Sequence, residues 1–151
     1  MKLAEALLER KAIKTKMEEL KHRLYQNAQT QEGLPPTEDP QELLAELTAT
    51  VQRFEEIVAR INATNAAAQL DDGTSLGRAI LQKDMQRYMH LVLTNLADKA
   101  TPGQQRYSER EIKQIPAVNV GETRRRADET ARAARLLDAK IQEANWKTGL
   151  L

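Results

Sequence analysis

Glu19 and His22 stand three residues apart, the E-x-x-H spacing that puts two metal ligands on one face of a helix. A di-metal helical site needs that motif twice, with two further glutamates. The other histidine, His90, has Arg87 at the equivalent position, so the set is incomplete and His22 is expected at the surface. Neither histidine lies in a serine or aspartate signature. No G-x-S-x-G is present, and the six glycines form no phosphate-binding run. The chain has no cysteine, which removes thiolate ligands, disulfides and a cysteine nucleophile. No catalytic, cofactor-binding or metal-binding residue is assigned, and the expectation is a protein that is not an enzyme and carries no cofactor.

The remaining polar clusters suit contact better than reaction. Arg124, Arg125 and Arg126, with Arg132 and Arg135 beyond, could face nucleic acid. Glu122, Asp128, Glu129 and Asp138 are interleaved with them, and successive helical residues diverge by roughly 100°, so a salt-bridged solvated face is the simpler reading. Lys and Arg number 23 against 22 Asp and Glu, which leaves no overall field to hold a polyanion. Aromatics are 3% of the chain, too few for a base-stacking platform. Tyr107, Glu111 and Lys113 fall in a long connection and form a polar cluster. Together with Arg124 and Arg125 they make the candidate partner or ligand surface.

These residues have to be positioned by helices. Val120, Thr123, Ala127, Thr130, Ala134, Leu137, Ile141 and Ala144 are spaced 3-4-3-4-3-4-3, the seam of a packed helix pair. A second seam, Leu44, Leu47, Val51, Phe54, Val58 and Ile61, is widened by Leu43 and Ile57. It begins at a strong start signal: Asp39 to cap, Pro40 at the first helical position and Glu42 three residues on. In the first block Leu3, Arg10, Met17 and Leu24 alternate with Ala6, Ile13, Leu20 and Asn27. A third block carries apolar residues on more than one stripe, from Leu76 to Leu96, as a central or interface helix would. The fold predicted is all-α: one domain over 1–151, an antiparallel bundle of about four long helices at 2–30, 40–65, 75–100 and 120–147. The connection 101–119 is irregular.

Asp72-Gly73 marks a tight turn and allows a very short β-hairpin, although residues 66–68 could equally extend the second helix. Ser108 to Glu111 matches a capping box, while residues 112–120 are β-branched enough to run extended. Asn27, Asn62, Asn65, Asn95 and Asn145 are read as caps or register residues, and Trp146 as a plug at one end of the bundle. No apolar stretch approaches the roughly 20 residues of a membrane span. With Glu5 and Glu9 near the start there is no secretory signal, and the location expected is the cytoplasm.

Five segments, MKLAEALLER, EDPQELLAEL, RINATN, RYSEREIK and EANW, resemble the septicolysin-like family of small bacterial proteins. The resemblance implies a mostly helical domain, in a family whose members mostly lack an established function, and its label implies a cytolysin. The residues themselves favour a non-enzymatic interaction or scaffold module that self-associates through its helix seams into a homo-oligomer. A septicolysin-like cytolysin acting on membranes is the second reading. A ligand binder or enzyme using the 101–119 and 31–39 loops is the third, and nucleic acid binding the fourth.

Overall fold

The structure is a computed structural model that describes residues 1–103 and 112–151. Four helices follow in order: α1 (Leu3–Gln26), α2 (Pro40–Ala67), α3 (Leu76–Ala100) and α4 (Val120–Lys147). The fold is an all-α helical bundle, and no strand forms among the described residues. Packing divides the chain into two compact units, Met1–Gln69 with Glu143–Leu151, and Leu70–Gln142.

In the first unit α1 and α2 pack together. Ion pairs Glu9–Arg53 and Lys16–Glu46, at 3.2 and 2.7 Å, and Arg23–Glu38 fix their antiparallel sense, since positions later in α1 meet positions earlier in α2. α1 stops at Gln26, a turn sooner than expected. The Asn27 side chain bonds back to the Arg23 carbonyl (2.9 Å) and accepts the Glu38 N–H (3.0 Å), so one asparagine both ends α1 and holds the loop leading to α2. α2 starts as the sequence predicts, with Asp39 Oδ1 accepting the Gln41 N–H at 2.8 Å and Pro40 at the first position.

The buried seam of α2 differs from the one read in the sequence. Leu43, Thr50, Ile57, Ile61 and Thr64 are buried, with Leu47 and Phe54 half-buried between them, whereas Leu44 and Val51 are exposed. The threonines fit because each hydroxyl is satisfied within its own helix, Thr50 Oγ1 donating to Glu46 O at 2.7 Å and Thr64 Oγ1 to Arg60 O at 2.8 Å. A back-bonded threonine presents mainly its methyl group to the core. Thr64 has a second duty, accepting the Leu151 N–H at 3.0 Å, while Arg60 Nε donates to Leu151 O at 2.7 Å. Beside this, residues 148–150 pair with the start of the chain. Leu3 N–H donates to Thr148 O at 2.9 Å and Leu150 N–H to Met1 O at 3.0 Å, around the single bridge Lys2–Gly149. Asn145 is buried in this unit with its Oδ1 unpaired, and Trp146 is 58% exposed rather than a plug. The next residue along a helix from a buried one points roughly 100° away, which turns the indole out.

The second unit opens with the turn expected at Asp72-Gly73. Gly73 takes φ +81°, Asp72 Oδ1 accepts the Thr74 N–H at 2.9 Å, and Leu70 N–H donates to Thr74 O at 2.8 Å. Gly73 N–H donates to Leu70 O at 2.9 Å to close the turn, and no strand extends from it. Ser75 then caps α3, its Oγ accepting the Arg78 N–H at 3.3 Å. Residues 112–119 are neither helix nor strand, and the capping box predicted at Ser108 to Glu111 lies outside the described residues. α4 starts at a cap the sequence reading overlooked, Asn119, whose Oδ1 accepts the Glu122 N–H at 2.9 Å. The eight-residue seam of α4 is buried or half-buried throughout. Within this unit Arg124–Asp98 and Lys83–Asp138 contacts make α3 and α4 antiparallel.

Candidate functional site

Of the five residues selected from sequence, Tyr107 and Glu111 lie outside the described residues. Lys113 is exposed on the irregular stretch before α4. Arg124 is held by Asp98 on α3 at 3.0 Å, and Arg125 by its own helix, through Glu122 at 2.7 Å and Glu129 at 3.8 Å. The hydrogen bonds that Arg125 donates to the Glu122 carboxylate hold its guanidinium above its usual range and so more firmly cationic. The charges of Arg124 and Arg125 are matched locally, which is the salt-bridged face anticipated. His22 is exposed and paired with Gln26 at 2.9 Å. Among the described residues no three His, Asp or Glu side chains stand close enough to hold a metal.

The unusual feature is α3. Its inner face follows a 3-4 repeat of its own: Leu76, Ala79, Lys83, Gln86, His90, Leu93, Ala97 and Ala100, all buried or half-buried. The middle three are polar. Lys83 reaches Asp138 of α4 at 3.4 Å, with Arg87 near the same carboxylate at 3.8 Å. His90 Nδ1 lies 2.9 Å from the Ala127 carbonyl, so this nitrogen carries the proton. Contact between a side chain and a backbone carbonyl of the neighbouring helix requires close approach, which the small residues Thr123, Ala127 and Ala134 of α4 permit. Gln86 Oε1 is buried without a hydrogen-bond partner.

The outer face is the reverse. Leu81, Met85, Tyr88, Met89, Val92 and Leu96 are between 38 and 60% exposed. At roughly 100° per residue they occupy one stripe about 100° wide, the width of a core-facing helix surface. α3 thus carries a polar run in the middle of its inner face, between Leu76 and Leu93, and most of its large apolar side chains outward. The sequence reading noted these apolar residues but missed the polar seam behind them. The only signal for that seam was the spacing of Lys83, Gln86 and His90, which an apolar search passes over.

Two grooves flank this helix. One, of about 400 Å³, runs beside the stripe and is lined by Met85, Met89, Gln86, Arg126 and Glu129 among others. The other, of about 430 Å³, holds Arg87, His90, Arg135 and Asp138 over three alanines. Both mix charges of opposite sign, so neither presents a one-sign field to a charged ligand. Neither gathers a nucleophile with a base.

The sequence pattern of a family of unknown function, DUF6847, matches residues 10–150, and the chain belongs to that family. A crystal structure of a functionally unknown conserved protein from Corynebacterium diphtheriae is similar to it, at 38% identity and a TM-score of 0.92, covering 100% of this chain and 99% of that one. No curated protein matches the chain. These findings correct the septicolysin-like resemblance. Its segments are helix punctuation: EDPQELLAEL holds the Asp39 cap and Pro40, RINATN the buried Ile61 and Thr64, EANW the buried Asn145. RYSEREIK lies mostly outside the described residues. Caps and seams recur wherever helices pack, so they carried no activity with them. Among the described residues, no helix is long and apolar enough to cross a membrane.

Proposed function

We propose that this protein is a non-enzymatic helical interaction module that self-associates, with the outer face of α3 as its contact surface. The observation that carries the reading is the inversion of α3, whose polar Lys83, Gln86 and His90 face inward while seven large apolar side chains, the six of the outer stripe and Leu91, stand in solvent. A contiguous apolar stripe of this size marks a contact site in proteins generally. The mixed charge of both flanking grooves supports a contact role over a reactive one. A cytoplasmic setting belongs to the same reading, supported by the absence of cysteine. Recovery of the protein in an extracytoplasmic fraction would count against that part.

The test is the mass of the purified chain by light scattering across a concentration series. A reversible rise from one copy to a multiple is expected. A single-copy mass at every concentration, with no binding of an environment-sensitive apolar dye, would reject the proposal.

A further inference from the structure

The polar run inside α3 leads to one cavity, the groove of about 430 Å³ between α3 and α4. His90 lines that cavity, its ring held by the Ala127 carbonyl at 2.9 Å. Lys83 reaches it through Asp138, a second lining residue, at 3.4 Å. Half-buried charged contacts of this kind contribute little net stability where apolar side chains would pack as well. Packing alone therefore does not account for a lysine and a histidine at these positions. The register of the two helices decides what else meets there. Lys83 contacts Asp138 near one end of the pair, and Asp98 contacts Arg124 near the other. Between these levels, Arg87 stands one turn on from Lys83, and Arg135 stands about one turn back from Asp138. The antiparallel register brings the two arginines level with each other, and both line the cavity. Arginine faces arginine here, whereas the levels on either side set opposite charges together.

Arg87 touches Asp138 only at 3.8 Å, and Arg135 has no acidic partner among the described residues. The cluster sets Lys83, Arg87 and Arg135 against Asp138 and Asp84, the latter 3.7 Å from Lys83, so three positive charges meet two negative ones. The floor is alanine, which adds no charge and leaves space over the backbone. Two guanidiniums across such a cleft supply forked N–H donors, the geometry that grips a carboxylate or phosphate. A polyanion does not match, because Asp138 stands in the same wall and the surplus is a single charge. The volume lies in the range of small-molecule sites. Going beyond the contact role of the outer face, we infer that this cavity binds a small molecule through one oxyanion group, held between Arg87 and Arg135. The cavity and the outer stripe use different sides of α3, so the site stands whether or not copies of the chain associate.

The test follows backbone amide shifts of the isotope-labelled protein by NMR. Inorganic phosphate and acetate are titrated separately, with ionic strength held constant by sodium chloride. Saturating shifts clustered around Arg87, His90 and residues 131–139 are expected for at least one of the two, with a dissociation constant of about 1 mM or tighter. The ion that binds more tightly identifies the head group as phosphate or carboxylate. Arg135→Gln and Arg87→Gln are each expected to weaken that binding about tenfold or more, with helicity unchanged because both side chains are exposed. Arg135→Lys keeps the charge without the fork and should fall between Arg135→Gln and the parent. Arg132→Gln removes the same charge from an exposed position of α4 outside the cavity, and should bind as the parent does. Shifts that never saturate with either ion, or that scatter over the exposed lysines and arginines of the chain, would overturn the inference. So would parent-like binding by Arg135→Gln, or an equal loss in Arg132→Gln.

Discussion

Tyr88→Ala is the sharpest test of what the outer face of α3 is for. Tyr88 is 60% exposed in the middle of the outer face of α3, and a twofold pairing through that face would use it twice. A tyrosine side chain carries roughly 200 Å², so truncation to alanine removes on the order of 100 Å² of coverable surface per copy. At about 25 cal/mol per Å² that is about 2.5 kcal/mol if every square ångström were covered. Interfaces do not convert area to affinity so completely. About half of that, counted twice, gives a loss of about 2–3 kcal/mol per dimer, which raises the dissociation constant about 30- to 150-fold. Sedimentation equilibrium on the parent and variant measures the shift. Because Tyr88 stands in solvent in the single chain, the same substitution should change the unfolding free energy of the monomer by less than about 0.5 kcal/mol. Both halves are needed. An unchanged dissociation constant, or a monomer destabilised by several kcal/mol, would refute the assignment of Tyr88 to a docking face.

Thr64→Val should destabilise by about 1–2 kcal/mol in urea unfolding, because the part-buried Leu151 N–H loses its acceptor. Thr50→Val should stay within about 0.5 kcal/mol, since the Thr50 hydroxyl only bonds back to Glu46 O. Equal effects at the two threonines would contradict the roles assigned. Thermal melts should also weaken on acidification below about pH 4. Hydrogen bonds from Arg23 and Lys16 hold Glu38 and Glu46 below the usual carboxylate range, and the Thr74 backbone N–H does the same for Asp72. Groups with depressed folded-state values contribute stability above their unfolded values and lose it as pH falls through the folded ones. A melting temperature flat from pH 6 to pH 2 would show that these contacts contribute nothing.

The helices of this chain were legible because punctuation and period agreed. Asp39-Pro40 opens α2, Asp72-Gly73 turns into α3, and the α4 seam is apolar or small at all eight positions, so its pattern and its burial coincide. Legibility failed where residue type and environment part company. Leu44 and Val51 are apolar yet exposed, and Thr50 and Thr64 are polar yet buried, because a hydroxyl bonded to its own helix no longer needs water. That shifted the α2 seam by one residue at half its positions. The inner seam of α3 was hidden more completely, since Lys83, Gln86 and His90 read as surface residues and lie half-buried, with partners on α4 for Lys83 and His90. Of the candidate surface, Lys113 is exposed, and Arg124 and Arg125 are exposed with acidic partners beside them. Charge alone does not tell a solvated face from a binding one. No residue pattern named an activity, so there was none for the resemblance to inherit.

The two faces of α3 differ in how firmly each can fix a register. Inside, directional contacts do it: Lys83 reaches Asp138 and His90 reaches one carbonyl, at Ala127. Sliding α3 along α4 by one residue breaks both at once, and leaving a partly buried Lys83 without its carboxylate is costly. Paired polar groups of this kind contribute little net stability, but they tolerate only one alignment. The outer stripe between Leu81 and Leu96 has no charged residue among its six members, and apolar contacts by themselves tolerate slippage.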